Sequence, residues 1–357
     1  MLVKALLQET CCQPPTCSIW FDKNVYMKTI RWGIIGLGNI AHKFAADLAL
    51  VANCKLQAVA SSDETRAQQF AEKFKANNYY SNYDALLEDN QIDIVYVASL
   101  HPLHASLSVK ALEKGKAVVC EKPLGMHSSE VKQIMGAAKK SNTFLMEALW
   151  TRFNPAFEQV REWIHKGQIG ELRYINATFS FNGLDRGKAS RLFNPENGGG
   201  SLLDIGIYPL FLAYHFLGKP KNVKASAILS AEGVDEQLSF ILSYDNAQAL
   251  LYSSFVHDED MRASLCGETG EIYMDSKWHA TSNVNLVKAG KEIKKSFSFN
   301  GMGYTYEIEE ANACLRSGKL ESPKWRWEES LEMAILMDEI RKQVGVSYPA
   351  DEQSLKK

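Results

Sequence analysis

Three stretches of this chain carry side chains able to do chemistry. The first is Val118-Val119-Cys120-Glu121-Lys122-Pro123, an apolar run that ends in an acid, a lysine and a proline. Apolar runs of this length bounded by turn signals read as buried strands, and Pro123 cannot continue a hydrogen-bond ladder. Glu121 and Lys122 are therefore expected at the carboxyl end of a strand, where open α/β sheets bind ligands. A lysine there can serve a redox site as general base or proton donor. Taken alone it reads equally as a solvated side chain at a loop mouth.

The second stretch is Gly36-Leu37-Gly38-Asn39-Ile40-Ala41, preceded by a strand-like run at 30–35 and followed by a helical stretch at 42–50. That is the G-x-G-x-x-G/A pattern in the strand–turn–helix context it requires. Gly36 permits the tight turn, Gly38 lets backbone approach a pyrophosphate, and Ala41 is small enough for close helix–strand packing. Asn39 and Ile40 open the helix whose free N–H groups favour an anion. The third stretch is Asn197-Gly198-Gly199-Gly200-Ser201-Leu202-Leu203-Asp204-Ile205-Gly206-Ile207-Tyr208-Pro209. If helical, it puts Asp204 and Tyr208 on one face, a carboxylate and a phenol that can surround a substrate hydroxyl. Ser201 and Asp204 also have capping-box spacing, with Asp in place of Glu, so a structural role for Asp204 stays open. Pro209 is expected to kink or delay the helix.

The elements that must position these groups follow a regular pattern. After the glycine turn come strand 56–60, helix 64–75, helix 84–88, strand 93–98, helix 103–114, strand 117–120, helix 129–140 and strand 144–147. Alternating strands and helices mean βαβ units and a doubly wound parallel sheet. At the end of the second strand, where NAD enzymes usually hold a carboxylate for the ribose 2′-OH, stand Ser61 and Ser62. Without that carboxylate a 2′-phosphate is not repelled, which favours NADP while leaving NAD possible. Arg66 can reach the same place, or simply be solvated beside an N-capping Asp63. Ser99, His101 and His104 lie between a strand end and a helix start, with backbone facing the cofactor. The two histidines border the nicotinamide pocket or serve in capping and packing.

Near Trp150 the period changes. A helix from Asn154-Pro155 to His165 is followed by alternating runs at 172–181, 223–229, 237–244, 248–256, 263–265, 271–275, 284–288 and 292–299. Period two with hairpin turns at 244–246 and 289–291 indicates a large, mostly antiparallel open sheet. Two helices, 304–317 and 328–343, close the chain. The expected organisation is a leader at 1–27 with Met27 as a plausible start, a dinucleotide-binding domain at 28–150, a substrate and dimerisation domain at 151–345, and a tail at 346–357. Trp150, Arg152 and Phe153 line the cleft between the halves or pack the interface. Trp325 and Trp327 read as core.

Composition narrows the functional classes. With 357 residues, 46% hydrophobic and 23% charged, the chain fits an ordinary two-domain globular protein. A net charge of −2 provides no basic field for nucleic acid or an anionic membrane surface. No apolar run approaches the roughly 20 residues that span a bilayer. The seven cysteines are odd in number and dispersed, as in a reducing cytoplasm. Neither Cys11, Cys12 and Cys17 nor His257-Asp258-Glu259-Asp260 reads as a metal site.

Together, Gly36 to Ala41, Cys120-Glu121-Lys122-Pro123 and Gly198 to Pro209 resemble the Gfo/Idh/MocA oxidoreductases, the glucose–fructose oxidoreductase and inositol dehydrogenase type. The likeness spans about residues 29–345. Met146-Glu147-Ala148-Leu149-Trp150-Thr151-Arg152-Phe153-Asn154-Pro155, with tyrosine at 208, is most similar to the dihydrodiol dehydrogenase and NADP-dependent xylose dehydrogenase branch. The resemblance implies a Rossmann domain and a homodimer formed through the second sheet. It implies hydride transfer between nicotinamide and a hydroxyl or carbonyl carbon of a sugar, cyclic polyol or trans-dihydrodiol. Lys122 would contact the reacting oxygen, Tyr208 would exchange its proton and Asp204 would orient one of them. A partly desolvated lysine acts either as base or as electrostatic stabiliser of an alkoxide, and its charge is expected to lower the pKa of the phenol. Two rivals share the fold: a nucleotide-sensing regulator without catalysis, and an NAD-dependent hydro-lyase or glycosidase.

Overall fold

The computed structural model describes residues 28–187 and 190–354. The expectations for residues 1–27, including Cys11, Cys12 and Cys17, lie outside these. The first half alternates strictly: β1 (Ile30–Ile35), α1 (Asn39–Leu48), β2 (Cys54–Ala60), α2 (Glu64–Phe74), β3 (Asn78–Tyr80), α3 (Tyr83–Glu88), β4 (Ile94–Val97), α4 (His104–Glu113), β5 (Ala117–Glu121), α5 (Ser128–Ser141) and β6 (Leu145–Ala148). All pairings are parallel, in the order β3-β2-β1-β4-β5-β6. The winding reverses between β1 and β4, and the carboxyl ends there open the crevice in which such sheets bind ligands. β1, β4 and β5 read as near-continuous apolar runs because helices cover both faces.

The second half begins with α6 (Pro155–His165) and β7 (Leu172–Ser180), then α7 (Ile207–Leu217). The strands β8 (Asn222–Leu229), β9 (Asp235–Ser243), β10 (Gln248–Ser254), β11 (Ala263–Gly267), β12 (Glu271–Met274), β13 (Asn283–Lys288) and β14 (Lys291–Ser296) follow, and α8 (Thr305–Arg316), α9 (Trp327–Val344) and α10 (Pro349–Ser354) finish the described chain. The eight-stranded sheet runs β14-β13-β12-β11-β7-β10-β9-β8. It is antiparallel except where β7 meets β10. Alternation assigns faces to strands but not partners, so that parallel pair was not foreseen. Leu238, Phe240 and Leu242 point to the helices, whereas Ile228, Ile241, Leu250, Tyr273 and Ile293 stand on the surface.

Several elements differ from the sequence expectation. β3 is a three-residue edge strand too short for a periodic signal. α7 is apolar all round, since it is buried on every side up to Ala213, and so shows no amphipathic period. The segment Pro195–Leu217 is long and apolar enough to cross a membrane, contrary to the composition reading, but 72% of its apolar window is buried inside this fold. Residues 346–354 are no free tail. Tyr348 donates its hydroxyl to the Gly199 carbonyl (2.6 Å) and Arg341 pairs with Asp351 (2.9 Å).

The two halves are joined by buried polar contacts. Glu147 at the end of β6 accepts from the Leu124 N–H (2.9 Å), the Trp325 indole (3.1 Å) and the Ser330 hydroxyl (2.6 Å). Asp47 on α1 accepts from the N–H groups of Met302 and Tyr304, fixing the loop before α8. Trp325 is therefore core, as expected.

The entry to α7 is held from a distant strand. Asp235 of β9 accepts from the Ser201 hydroxyl and the Leu202 N–H, each at 2.7 Å. Ser201 therefore does not close a capping box with Asp204. Burial raises the Asp235 carboxyl from 3.8 to about 6, against the lowering effect of those hydrogen bonds. The folded state thus holds a proton that the unfolded chain releases near pH 4, so stability falls as pH rises from about 4 to 6. Asp235→Asn keeps an acceptor for Leu202 and removes the charge. We expect it to match the native protein in urea unfolding near pH 4 and to exceed it by about 2–3 kcal/mol at pH 7. A constant difference across that range would contradict this account.

Candidate active site

The glycine turn has the geometry an anion cradle needs. Gly36 sits at φ +86°, and a Cβ there would lie 2.7 Å from the Ala98 carbonyl and the Ser99 nitrogen. Gly38 is the N-cap of α1 and offers no side chain to its free N–H groups. A Cβ on Gly38 would meet no atom within 4 Å, so the helix start faces open space. Unpaired N–H groups and the helix dipole together suit a diphosphate. The residues present fit a dinucleotide.

That open space is the near end of a cavity of about 790 Å³ running between the two halves. Gly36, Gly38, Asn39 and Ile40 line one end, with Ser61, Ser62 and Arg66 beside them. The Ser61 hydroxyl accepts from the Asp63 N–H (3.1 Å), and Asp63 in turn caps α2 through the Arg66 N–H (2.9 Å). Of the two readings of this corner, the capping one is seen here. Asp63 caps the helix, while Arg66 pairs loosely with it at 3.7 Å and stays exposed at the cavity edge.

Midway, Ser99, His101 and His104 border the cavity. His101 bonds through Nδ1 to the Gly198 carbonyl (3.0 Å), a stitch between the halves. His104 places Nδ1 2.8 Å from the Pro123 carbonyl and Nε2 3.1 Å from the Ser99 carbonyl. Burial lowers the His101 pKa to about 3 and that of His104 to about 4, so both rings are neutral at physiological pH. They are packing and hydrogen-bonding groups at the cavity wall.

At the far end Lys122, just past β5, meets the segment before α7. Its Nζ donates to the Asp204 carbonyl (2.5 Å), lies 3.5 Å from the Asp204 carboxylate and sits 5.2 Å from the Tyr208 ring centroid. Arg191 approaches the same carboxylate from the loop between β7 and α7 (3.3 Å). Burial acts to raise the Asp204 carboxyl, but Lys122 and Arg191 overcome it and hold the group well below the usual carboxylate range. Glu121 behaves oppositely. Burial raises it, although Tyr96 donates a short hydrogen bond to it and the Lys122 N–H a second at 3.2 Å.

Tyr208 lines this end with its hydroxyl accepting from the Trp150 indole N–H at 2.9 Å. The expectation that a nearby ammonium would lower the phenol is overturned. Burial, reinforced by the charge of Glu121, raises it well above the ordinary value. Lys122 lies over the ring face, 5.2 Å from its centroid.

Lys122, Asp204, Tyr208, Glu121 and Trp150 are thus brought to one cavity, and two other predicted residues are not. Arg152 is buried away from it, donating to the Lys324 carbonyl (2.9 Å) and Glu158 (2.5 Å), and Phe153 packs beneath Lys324. They follow Trp150 on the same turn of 3₁₀ helix (Trp150–Phe153), where successive side chains point in different directions. The sequence reading missed Arg191, Arg186, Phe179 and Ile205, all at the far end. Phe179 shares the strand parity of buried Ala177 and Ile175, a usable signal. The arginines stand on an irregular loop that carries none. Among the described residues, no group of three or more His, Cys, Asp or Glu side chains is placed to hold a metal ion.

Comparison with known proteins agrees with this geometry. Residues 30–149 match the oxidoreductase family with an NAD-binding Rossmann fold, and residues 157–273 match the GFO/IDH/MocA C-terminal domain. A trans-1,2-dihydrobenzene-1,2-diol dehydrogenase from Xenopus tropicalis is 37% identical over 333 residues, covering 89% of this chain and 99% of that protein. An NADP(+)-dependent scyllo-inositol 2-dehydrogenase from Bacillus subtilis is 34% identical, covering 90% and 99%. A 3-ketoreductase from Actinomadura kijaniata, solved with NADP and TDP-benzene, superposes with a TM-score of 0.79 at 27% identity over 89% of this chain and 98% of that one. With the glycine cradle at one end of the cavity and Lys122 at the other, the chain belongs to the Gfo/Idh/MocA family, in its dihydrodiol dehydrogenase branch, and is an NAD(P)-dependent oxidoreductase.

Proposed function

We propose that this protein is an NADP-preferring dehydrogenase acting on a hydroxyl carbon of a sugar, cyclic polyol or trans-dihydrodiol. One observation carries the reading: Lys122 and Tyr208, from different halves, line the far end of the cavity that starts at the glycine turn. The named activities of the dihydrodiol and inositol dehydrogenases support the substrate class. Gly36, Gly38 and the start of α1 would hold the diphosphate, with Ser61, Ser62 and Arg66 toward the ribose 2′ position. Among these side chains none is acidic, which supports NADP over NAD.

Bound nicotinamide supplies the hydride chemistry, accepting from the carbinol carbon or returning hydride to the carbonyl. The chain's own groups handle the oxygen. In reduction the Tyr208 phenol gives its proton to the oxygen as hydride reaches the carbon; oxidation is the reverse, the O–H proton passing to Tyr208 after the phenol has released its own proton to solvent, a state that burial disfavours. The Lys122 ammonium lies where it can stabilise the developing alkoxide. Asp204 holds that ammonium in place and accepts from a neighbouring hydroxyl of the substrate. The open face of the second sheet, with Ile228, Ile241, Leu250, Tyr273 and Ile293, supports a homodimer through that face. The dispersed cysteines support a cytoplasmic location.

A panel of sugars, inositols and trans-dihydrodiols, assayed with both cofactors by reduced-nicotinamide absorbance, tests the proposal. Lys122→Met and Tyr208→Phe should each lower kcat/KM by about 10²–10⁴-fold, or about 3–5 kcal/mol of barrier. Native turnover with no substrate of the panel, or near-native turnover in both variants, would overturn the assignment. Arg66→Ala should raise KM for NADP+ by about tenfold and leave that for NAD+ nearly unchanged, as expected for one charge-assisted hydrogen bond. Equal effects on the two cofactors would remove Arg66 from the 2′-phosphate site.

A further inference from the structure

Tyr208 carries one hydroxyl proton, and its direction decides whether the phenol can give that proton to a substrate. The Trp150 indole N–H is a donor only. It points at the Tyr208 oxygen from 2.9 Å, so the phenol must accept there. With that side occupied, the phenol's own proton is turned elsewhere. Both residues line the cavity. We propose that Trp150 is a positioning residue which fixes the Tyr208 hydroxyl as an acceptor on one side and so presents its proton to the substrate on the other. The proposal rests on the reading of Tyr208 as the proton-transfer group.

The indole is held by contacts from the second half, which are anchored in turn on the first. Tyr304 stacks on it with centroids 5.0 Å apart and planes at 19°. Gly303, at φ +103°, makes the room: a Cβ there would come within 2.7 Å of the Trp150 ring. The loop itself is pinned by Asp47 of α1, the helix that begins at the glycine cradle, through the Met302 and Tyr304 N–H groups at 2.8–2.9 Å. His279 closes the other side, 6.1 Å from Trp150 edge-on and 5.4 Å from Tyr208. A continuous set of packed groups therefore runs from the nucleotide-binding helix to the phenol. No other side chain in that set donates to the phenol oxygen.

The same hydrogen bond bears on acidity. Burial and the charges of Glu121, Asp204 and Glu307 raise the Tyr208 phenol, with the indole bond working against them. The charged and titratable groups around it are Lys122 and Glu121 at the end of β5, Asp204 before α7, His279 before β13, and Tyr304 and Glu307 at α8. His279 is kept neutral by burial. Removing the indole N–H leaves every one of these in place and takes away a group that favours phenolate.

Trp150→Phe keeps an aromatic ring near Tyr304, deletes the donor and reduces the side-chain volume. It should lower kcat about tenfold with little change in KM, as for one lost hydrogen bond. The limb of the pH–rate profile that reports the phenol should move to higher pH in both reaction directions. NADPH affinity, read by fluorescence titration, should stay native. Tyr304→Leu, which removes the stacking partner and keeps the indole, should move the same limb in the same direction by less, and it serves if Trp150→Phe does not fold. Tyr208→Phe is run alongside. If Tyr208→Phe abolishes turnover while the Trp150→Phe profile coincides with the native one, Trp150 positions nothing and the proposal fails alone. If Tyr208→Phe turns over normally, the reading of Tyr208 fails and the positioning role falls with it.

Discussion

The ammonium of Lys122 resting on Asp204 is the contact on which the rest of the site depends. It joins the end of the parallel sheet to the start of α7, and both side chains are nearly buried, at 11% and 12% exposed. A buried ion pair adds little net stability, because desolvation consumes most of the attraction. What it fixes is position. If Asp204 moved away, Lys122 would lose its ion-pair partner in a poorly solvated cleft, whereas Asp204 also has Arg191 at 3.3 Å. The distance between the halves at the reacting end is therefore set by charge, while the His101 bond to the Gly198 carbonyl and the Asp47 hook on the 302–304 loop set it further along.

The surrounding carboxyls make that pair selective. Glu121, Glu147 and Glu307 are buried, and burial raises each of them; for Glu307, whose oxygens have no hydrogen-bond partner, Glu121 and Asp47 push the same way. Asp204 alone among these is driven the other way, by two cations acting on it. Lys122 thus has one strongly acidic counter-charge in Asp204, while burial works against ionisation of Glu121 and Glu147 nearby. A second ionised carboxylate beside it would neutralise the ammonium that an alkoxide needs. The site keeps one positive centre with a definite direction.

How much of this was legible in the sequence follows from the range of each interaction. The glycine turn, the strand ending at Glu121 and the alternation after residue 171 are local patterns, and each appears where the sequence puts it. The roles of Asp204 and Asp235 are not local. Ser201 and Asp204 have the spacing of a capping box, yet the cap comes from Asp235, more than thirty residues on, because β9 passes beneath the helix start. Arg152 and Phe153 adjoin Trp150 in sequence and diverge from it in space, since one 3₁₀ turn sends neighbours to different faces. Spacing can nominate a residue for a cleft; only the tertiary path decides which neighbour enters it.

The approach to α7 offers a backbone group to the site. Residues Leu202–Gly206 form a π turn, with the Ile207 N–H reaching back five residues to the Leu202 carbonyl. Within that turn the Asp204 carbonyl accepts from Lys122 Nζ at 2.5 Å. Gly206 is needed for the same turn, because a Cβ there would press on the Ser253 hydroxyl at 2.8 Å. π turns recur at functional sites because they release backbone groups that an α-helix would consume. Here the Asp204 carbonyl is the closest partner of the lysine. Asp204 therefore holds Lys122 with its backbone as much as with its charge, and an amide at 204 would retain that backbone contact while losing the counter-ion.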